Sequence, residues 1–194
     1  IIYKKASSCQ GKRLFHEKED KMLELLDKKD FDEVYAIMEA SFPETEIRPR
    51  EEQYALFDDR AYRILVRREE ENTAGFFAVW DFPEVLYIEH FAVDGRLRGG
   101  GIGAAMIGEL KALSDKPICL EVEPPENETA KRRIGFYERN GFFLNPYPYI
   151  QPPISAGRDA IPLLIMTGGG FIDEAKFEKI KQLLYMRVYK YTGV

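Results

Sequence analysis

Cysteine and histidine are scarce in this chain of 194 residues, with two of each: Cys9, Cys119, His16 and His90. So few ligands nearly exclude a Cys/His metal cage, and the cysteine spacing frames no disulfide scaffold. Long apolar runs are missing as well. The longest candidate, Ile161 to Met166, is interrupted by Pro162 and falls far short of the ~20 residues a membrane helix needs. The opening residues lack the apolar segment of a signal peptide. An excess of positive charge is also absent: the net charge is −5, and residues 1–21 carry six Lys/Arg against three Asp/Glu, so the rest is more acidic still. An acidic body does not suit broad contact with a nucleic-acid backbone and suits a small cationic partner better. Together these absences predict a reducing, cytoplasmic compartment, with no membrane and no nucleic acid among the partners.

What is there describes one domain with appendages, long enough to bury a core without disulfides or a structural metal. Residues 1–21 form a basic extension outside the expected core. Two readings stand for it: Met22 is the working start, or the extension is a native arm packed loosely on the domain. A core follows over residues 22–167, and residues 168–194 supply a glycine hinge and a C-terminal helix.

Within the core, residues 22–27 read as a short strand. Phe31, Val34, Tyr35, Ile37, Met38 and Phe42 recur at helical spacing, with Asp30 as N-cap and Glu33 three residues on, as in a capping box; Pro43 stops that helix. A second short helix follows Pro49. Residues 61–68, 74–81 and 85–93 are rich in β-formers and joined by short turns, the pattern of an antiparallel meander. Then come a glycine-rich turn opening a helix over 102–113, a strand over 117–122 ended by Pro124-Pro125, and a helix over about 129–140 closed by Gly141. A strand from Phe142, a strand over 161–167 and a final helix with stripe Phe177, Ile180, Leu184, Val188 and Tyr191 complete the order β-α-α-β-β-β-α-β-α-β-β-α.

The segment from Tyr87 through Val93 to Arg96-Leu-Arg-Gly-Gly-Gly-Ile-Gly103 is the most informative. A strand enters glycines and leaves as a helix. Glycines allow backbone N–H groups to converge on one anion, and the helix adds unpaired N–H groups and a positive dipole end there. Phosphate or pyrophosphate is the natural guest. A mononucleotide P-loop fails, because Gly101-Ile-Gly103-Ala104 lacks the Lys and the hydroxyl. A dinucleotide fingerprint can be read from Gly99, Gly101 and Ala104, with Glu121 or Glu123 further on, and would make the chain an oxidoreductase. Antiparallel strands precede it, however, where parallel βαβ units belong.

Arg98-x-x-Gly101-x-Gly103 resembles the R/Q-x-x-G-x-G/A signature of the GNAT superfamily of N-acetyltransferases. Glu89-His-Phe-Ala-Val93 resembles the family's central strand. Asn127, Ala130 and Tyr137-Glu-Arg-Asn-Gly141-Phe142 resemble its next helix, and the likeness spans about residues 22–167. The resemblance implies an α/β (α+β) fold: a mixed, mostly antiparallel sheet, splayed between two parallel strands and flanked by helices, with acetyl-CoA in the wedge and no metal. It implies that Phe91 and Val93 meet the pantetheine arm through main chain, with Ala92 between them also counted as cofactor-binding. N–H groups of Gly99, Gly101, Gly103 and Ala104 would hold the pyrophosphate with Arg98 beside them, Gly100 and Ile102 would complete the cofactor-binding loop, and Asn127 would lie near the pantetheine. Lys131, Arg132 and Arg133 are read either as partners of the adenosine 3′-phosphate or as a solvated helix face.

The implied chemistry is direct attack of a neutral amine on the thioester. Tyr137 matches the tyrosine that protonates the sulfur. Glu89 is the expected base: strand alternation puts it on the face of Phe91 and puts His90 on the opposite one unless a bulge intervenes. His90, Glu121, Glu123 and water stay open beside it. Residues 42–48 and 147–149 are the expected acceptor walls, where Glu44, Glu46 and aromatics suit a cationic small-molecule or peptide amine. A catalytically silent CoA-binding module of the same fold is the remaining alternative, and a homodimer stays open.

Overall fold

The computed structural model describes residues 23–191. The readings placed on residues 1–21 and on Met22 therefore lie outside the described residues. Eight strands form one sheet: β1 (Glu24–Leu25), β2 (Tyr62–Glu69), β3 (Asn72–Asp81), β4 (Leu86–Val93), β5 (Ile118–Val122), β6 (Phe142–Leu144), β7 (Tyr149–Gln151) and β8 (Ile161–Gly168). The order is β1-β2-β3-β4-β5-β8-β6, with β7 also paired to β8, and β4–β5 is the one parallel pair among the described residues. The mixed, mostly antiparallel sheet flanked by helices agrees with the fold expected from the sequence. Among the described residues no helix is long and apolar enough to cross a membrane.

Helices α1 (Phe31–Ser41), α2 (Arg50–Ala55) and α5 (Glu174–Arg187) cover one face; α3 (Ile102–Leu113) and α4 (Glu128–Arg139) cover the other. The alternation of β3 decides this. Phe76, Ala78 and Trp80 enter the core under α1 and α5, while Phe77 and Val79 enter the core under α3 and α4. Both faces of β3 are thus buried, and each large apolar side chain so covered stabilises the fold by roughly 1.5–3 kcal/mol. Gly75 serves close approach: a Cβ there would lie 2.8 Å from the Ala92 carbonyl oxygen and 2.9 Å from the Met106 sulfur, so the missing side chain lets α3 sit down on the sheet.

Three local expectations are corrected. Asp30 precedes α1 but makes no capping bond, because its carboxylate binds Arg68 at 2.9 Å. Glu33 accepts from the Thr73 N–H at 2.7 Å, so the expected capping box is replaced by ties to the β2–β3 hairpin. The Pro/Tyr-rich stretch after β6 contains the extra strand β7. Asn145 makes the jump between the two: its amide donates to the Ile165 carbonyl and Thr167 hydroxyl at 3.1 and 3.0 Å, and its oxygen accepts from the Ile172 N–H at 3.1 Å. Finally, the stripe of α5 ends differently. Helix geometry stops at Arg187, Lys190 takes a left-handed φ of 49°, and Tyr189 is buried in place of Tyr191, which is exposed.

Candidate active site

The register of β3 against β4 slips once. Val79 lies opposite Ile88 and Ala78 opposite His90, leaving Glu89 as the extra residue of a β-bulge. A bulge turns two successive side chains toward one face. Glu89 and His90 accordingly both point to the α1/α5 side: Glu89 Oε1 accepts from Arg48 Nη1 at 2.7 Å, and the His90 ring meets Phe42 edge-on at 4.8 Å. Phe91 stacks on Phe77 at 4.3 Å on the other side. The expected shared face of Glu89 and Phe91 is corrected by this bulge.

β4 and β5 pair over only Leu86–Ile118, Tyr87–Cys119 and Ile88–Leu120. Beyond those rungs the strands part, and β5 ends before Pro124-Pro125, where a missing N–H prevents further pairing. The Glu89 side chain is 2 % exposed although the residue as a whole is not buried, so what it shows to solvent is main chain. A cleft of about 750 Å³ fills the wedge. Phe91, Ala92, Val93, Arg98, Gly99, Gly101, Ile102, Gly103, Ala104, Tyr137 and Glu89 all line it, as do His90, Glu121 and Glu123. Gly100 and Asn127 do not. The Asn127 oxygen instead caps α4, accepting from the Ala130 N–H at 2.9 Å.

The loop side of the cleft gathers glycines and the N-terminus of α3. Gly99 and Gly101 adopt φ of 89° and 79°, a conformation L side chains rarely take, and Gly101 is the N-cap of α3. The first N–H groups of α3 have no intrahelical acceptor and open into the same space. Asp94 holds the loop's start, accepting from the Arg96 N–H at 2.9 Å and from its guanidinium at 2.6 Å, and these bonds lower its carboxyl to about 2. Arg98 bridges the Val93 carbonyl at 3.1 Å and the Ser41 hydroxyl at 3.2 Å. Lys131 pairs with Glu128 on its own helix, and Arg132 reaches the Glu128 carbonyl and the Thr129 hydroxyl. Tyr137 projects from α4 between Phe136 and Phe142, and burial raises its hydroxyl to about 12.

The other side is acidic. His90 Nε2 lies 2.8 Å from the Glu46 carbonyl, an acceptor only, so in the neutral ring Nε2 carries the hydrogen and Nδ1 is left as an acceptor. Burial lowers the His90 pKa, favouring that neutral form. Nδ1 sits 3.8 Å from Glu89 Oε2, and neither atom has a hydrogen-bond partner. Glu123 pairs with Arg133 at 2.7 Å. Glu121 is held by three phenols: Tyr149 donates to Oε1, while Tyr87 and Tyr189 lie 2.9 and 2.7 Å from Oε2. Burial raises its carboxyl to about 7, with the three hydroxyls opposing the rise. The sequence reading missed Tyr87, Tyr189 and the ion-pairing role of Arg48. None carries a local signal, because each gains its role from a strand or helix distant in the chain. Among the described residues no three His, Cys, Asp or Glu side chains are grouped to hold a metal ion.

The family model described as "Acetyltransferase (GNAT) family" matches residues 31–142, more than half of the chain. The chain belongs to the GNAT acetyltransferase family. A solved structure from Bacteroides thetaiotaomicron, "Putative acetyltransferase from GNAT family", is 34% identical with a TM-score of 0.80, covering 86% of this chain and 97% of that one. The Bacillus subtilis protein "Putative acetyltransferase YjbC" is 30% identical over 110 residues, 56% of this chain and 55% of its own, so the match spans about half the length of that relative. An aminoglycoside 6′-N-acetyltransferase solved with coenzyme A shares the fold at 14% identity and a TM-score of 0.56, over 75% of this chain and 95% of its own. This GNAT chain therefore sits in a family of acyl-transferring enzymes, with its wedge, loop and α4 tyrosine all inside or beside the matched span.

Proposed function

We propose that the protein is an acetyl-CoA-dependent N-acetyltransferase acting on a cationic primary amine. The observation that carries this reading is one cleft shared by the open edge of β4, the Gly99–Gly103 loop, Tyr137 and a caged carboxylate, Glu121. The residues fit coenzyme A: the main chain of Phe91 and the Val93 N–H can pair with an amide-bearing arm, the Val93 carbonyl being held by Arg98, and the glycines leave the loop amides unobstructed for a pyrophosphate. When bound, acetyl-CoA supplies the thioester carbonyl.

Glu89 is locked in a buried ion pair with Arg48, whereas Glu121 lines the cleft with a carboxyl that burial raises to about 7, so the geometry supports Glu121 as the base. Glu121 takes the proton that the ammonium loses before its lone pair attacks. As the C–N bond forms and the C–S bond breaks, the Tyr137 hydroxyl gives its proton to the sulfur, and the proton shed by the new amide nitrogen returns to the phenolate through solvent. At about 12 the phenol is a weaker acid than a free thiol at ~8.5, so it rests protonated, and its transfer to the sulfur is driven by the proton that the amide nitrogen sheds in the same step.

The test is thiol release from acetyl-CoA across a panel of diamines, amino acid amides and peptides, beside thermal shifts with CoA and with NAD. Amine-dependent thiol release and stabilisation by CoA alone are the expected results. Binding of CoA without release from any amine would favour the silent module, and stabilisation by NAD would restore the dinucleotide reading.

A further inference from the structure

The catalytic side of the cleft is completed by chain that lies beyond residues 31–142. After α5 ends at Arg187, the backbone turns at Lys190, with the Tyr191 N–H bonded to the Tyr185 carbonyl at 2.8 Å and the Tyr189 N–H to the Leu184 carbonyl at 3.1 Å. That turn directs Tyr189 inward. Its hydroxyl comes within 2.7 Å of Glu121 Oε2 and 2.9 Å of the Tyr87 hydroxyl, which is itself 2.9 Å from the same oxygen. One residue earlier, the Val188 carbonyl accepts from Arg48 Nη2 at 3.2 Å, and Arg48 Nη1 binds Glu89. Glu121 and Glu89 are thus tied, directly or through one side chain, to a single turn of C-terminal backbone.

We propose that Tyr189 is a positioning residue for acyl transfer: it fixes the Glu121 carboxylate and stabilises its ionised form, which makes the C-terminal turn part of the reaction centre. The catalytic half of this statement rests on Glu121 being the base of the proposed reaction. The hydrogen count supports it. Ionised Glu121 accepts the hydroxyl hydrogens of Tyr87 and Tyr189 on Oε2 and that of Tyr149 on Oε1. When Glu121 takes a proton, it becomes a donor, and one phenol can turn its hydrogen to the other across the 2.9 Å separation. The triangle serves both protonation states without moving a heavy atom. The other groups facing Glu121 do not duplicate this. Glu89 on β4 carries like charge paired to Arg48, Tyr185 on α5 donates to the Ile150 carbonyl, Cys119 on its own strand is a buried thiol held well above its ordinary range, and Ile165 opposite it on β8 is apolar.

A tyrosine that only covers the sheet would leave Glu121 indifferent to its hydroxyl, and Tyr189→Phe separates the two roles. The carboxyl carbon of Glu121, assigned by its loss in Glu121→Gln, is titrated by ¹³C NMR in protein labelled at glutamate. In Tyr189→Phe the midpoint rises by about one pH unit, the size expected for losing one bond to a charged acceptor. The pH dependence of thiol release moves up by the same amount, so turnover well below the midpoint falls about tenfold. Tyr191→Phe moves neither. A trifluorotyrosine at 189, a stronger donor of the same shape, moves both the other way and keeps the test decisive should the phenylalanine variant fold poorly. An unmoved midpoint overturns the proposal, and so does a moved midpoint with an unmoved rate profile. Absence of thiol release from any amine in the unaltered protein would defeat the acetyltransferase reading, while the NMR midpoint would still decide the hold of Tyr189 on Glu121.

Discussion

Arg48 and Glu89 form an ion pair of 2.7 Å in which the two side chains are only 5 % and 2 % exposed. Arg48 comes from the connection between α1 and α2, Glu89 from the bulge of β4, and the Val188 carbonyl takes the second guanidinium nitrogen. A pair so dry is kept by geometry, since removing one partner strands the other charge in the interior.

Replacing Arg48 with Ala therefore lowers stability by ~3–5 kcal/mol, measured by urea unfolding. The double variant Arg48→Met with Glu89→Gln recovers most of that loss, because no buried charge is left alone. Equal destabilisation of the single and the double variant would show that the pair adds only packing.

Stability also depends on pH through Glu121. Its folded carboxyl titrates at about 7, above the ordinary value of 4.5. The folded state then binds more protons than the unfolded state between those values, so this contribution is full below about 4.5 and is lost as pH rises through 7. The slope is at most ~1.4 kcal/mol per pH unit, and Glu121→Gln flattens it. Asp94 acts in the opposite sense: held at about 2, it contributes above its unfolded pKa and is lost as pH falls toward 2. Chemical unfolding from pH 4 to 8 in both proteins checks the first sign.

Tyr137→Phe retains the ring against Phe136 and Phe142 and deletes only the hydroxyl. Loss of a general acid typically lowers kcat by ~10²-fold or more. CoA affinity, measured by calorimetry, stays within a factor of a few. A comparable fall in affinity would assign Tyr137 to binding.

Gly101→Ala places a side chain at φ 79°, where no neighbour crowds the new carbon but the backbone itself resists. Strain of roughly 1–2 kcal/mol follows, with a lower melting temperature and weaker CoA binding from a displaced loop. Gly108→Ala, on the open face within α3, is the matched control: it leaves CoA binding unchanged and raises stability by roughly 0.5–1 kcal/mol, opposite in sign to Gly101→Ala.

Local regularity made most of the fold legible. The α3 bounds of 102–113 follow from the glycine-to-helix transition, and the β2–β3–β4 meander follows from its β-formers and turns. The loop half of the site was legible for the same reason, since one contiguous segment builds it. The half around Glu89 and Glu121 was not. Whether Glu89 bulges depends on its register against β3, and whether Tyr189 or Tyr191 enters the core depends on where α5 stops. The capping box at Asp30 and Glu33 failed because Arg68 and Thr73, distant in sequence, present better partners. Chemistry assembled from one segment can be read along the chain; chemistry assembled across five elements cannot.

Three rungs hold β4 to β5, and past them the sheet has an edge in its own interior. Outer edges are commonly blunted by charge, proline or bulges so that foreign strands do not add to them. An inner edge can be protected by narrowness instead. Here the open backbone of β4 faces a cleft and not bulk solvent, so whatever pairs with it has to fit inside that cleft. The same unfinished pairing that weakens the sheet in its middle keeps its open backbone groups out of reach of a neighbouring sheet edge.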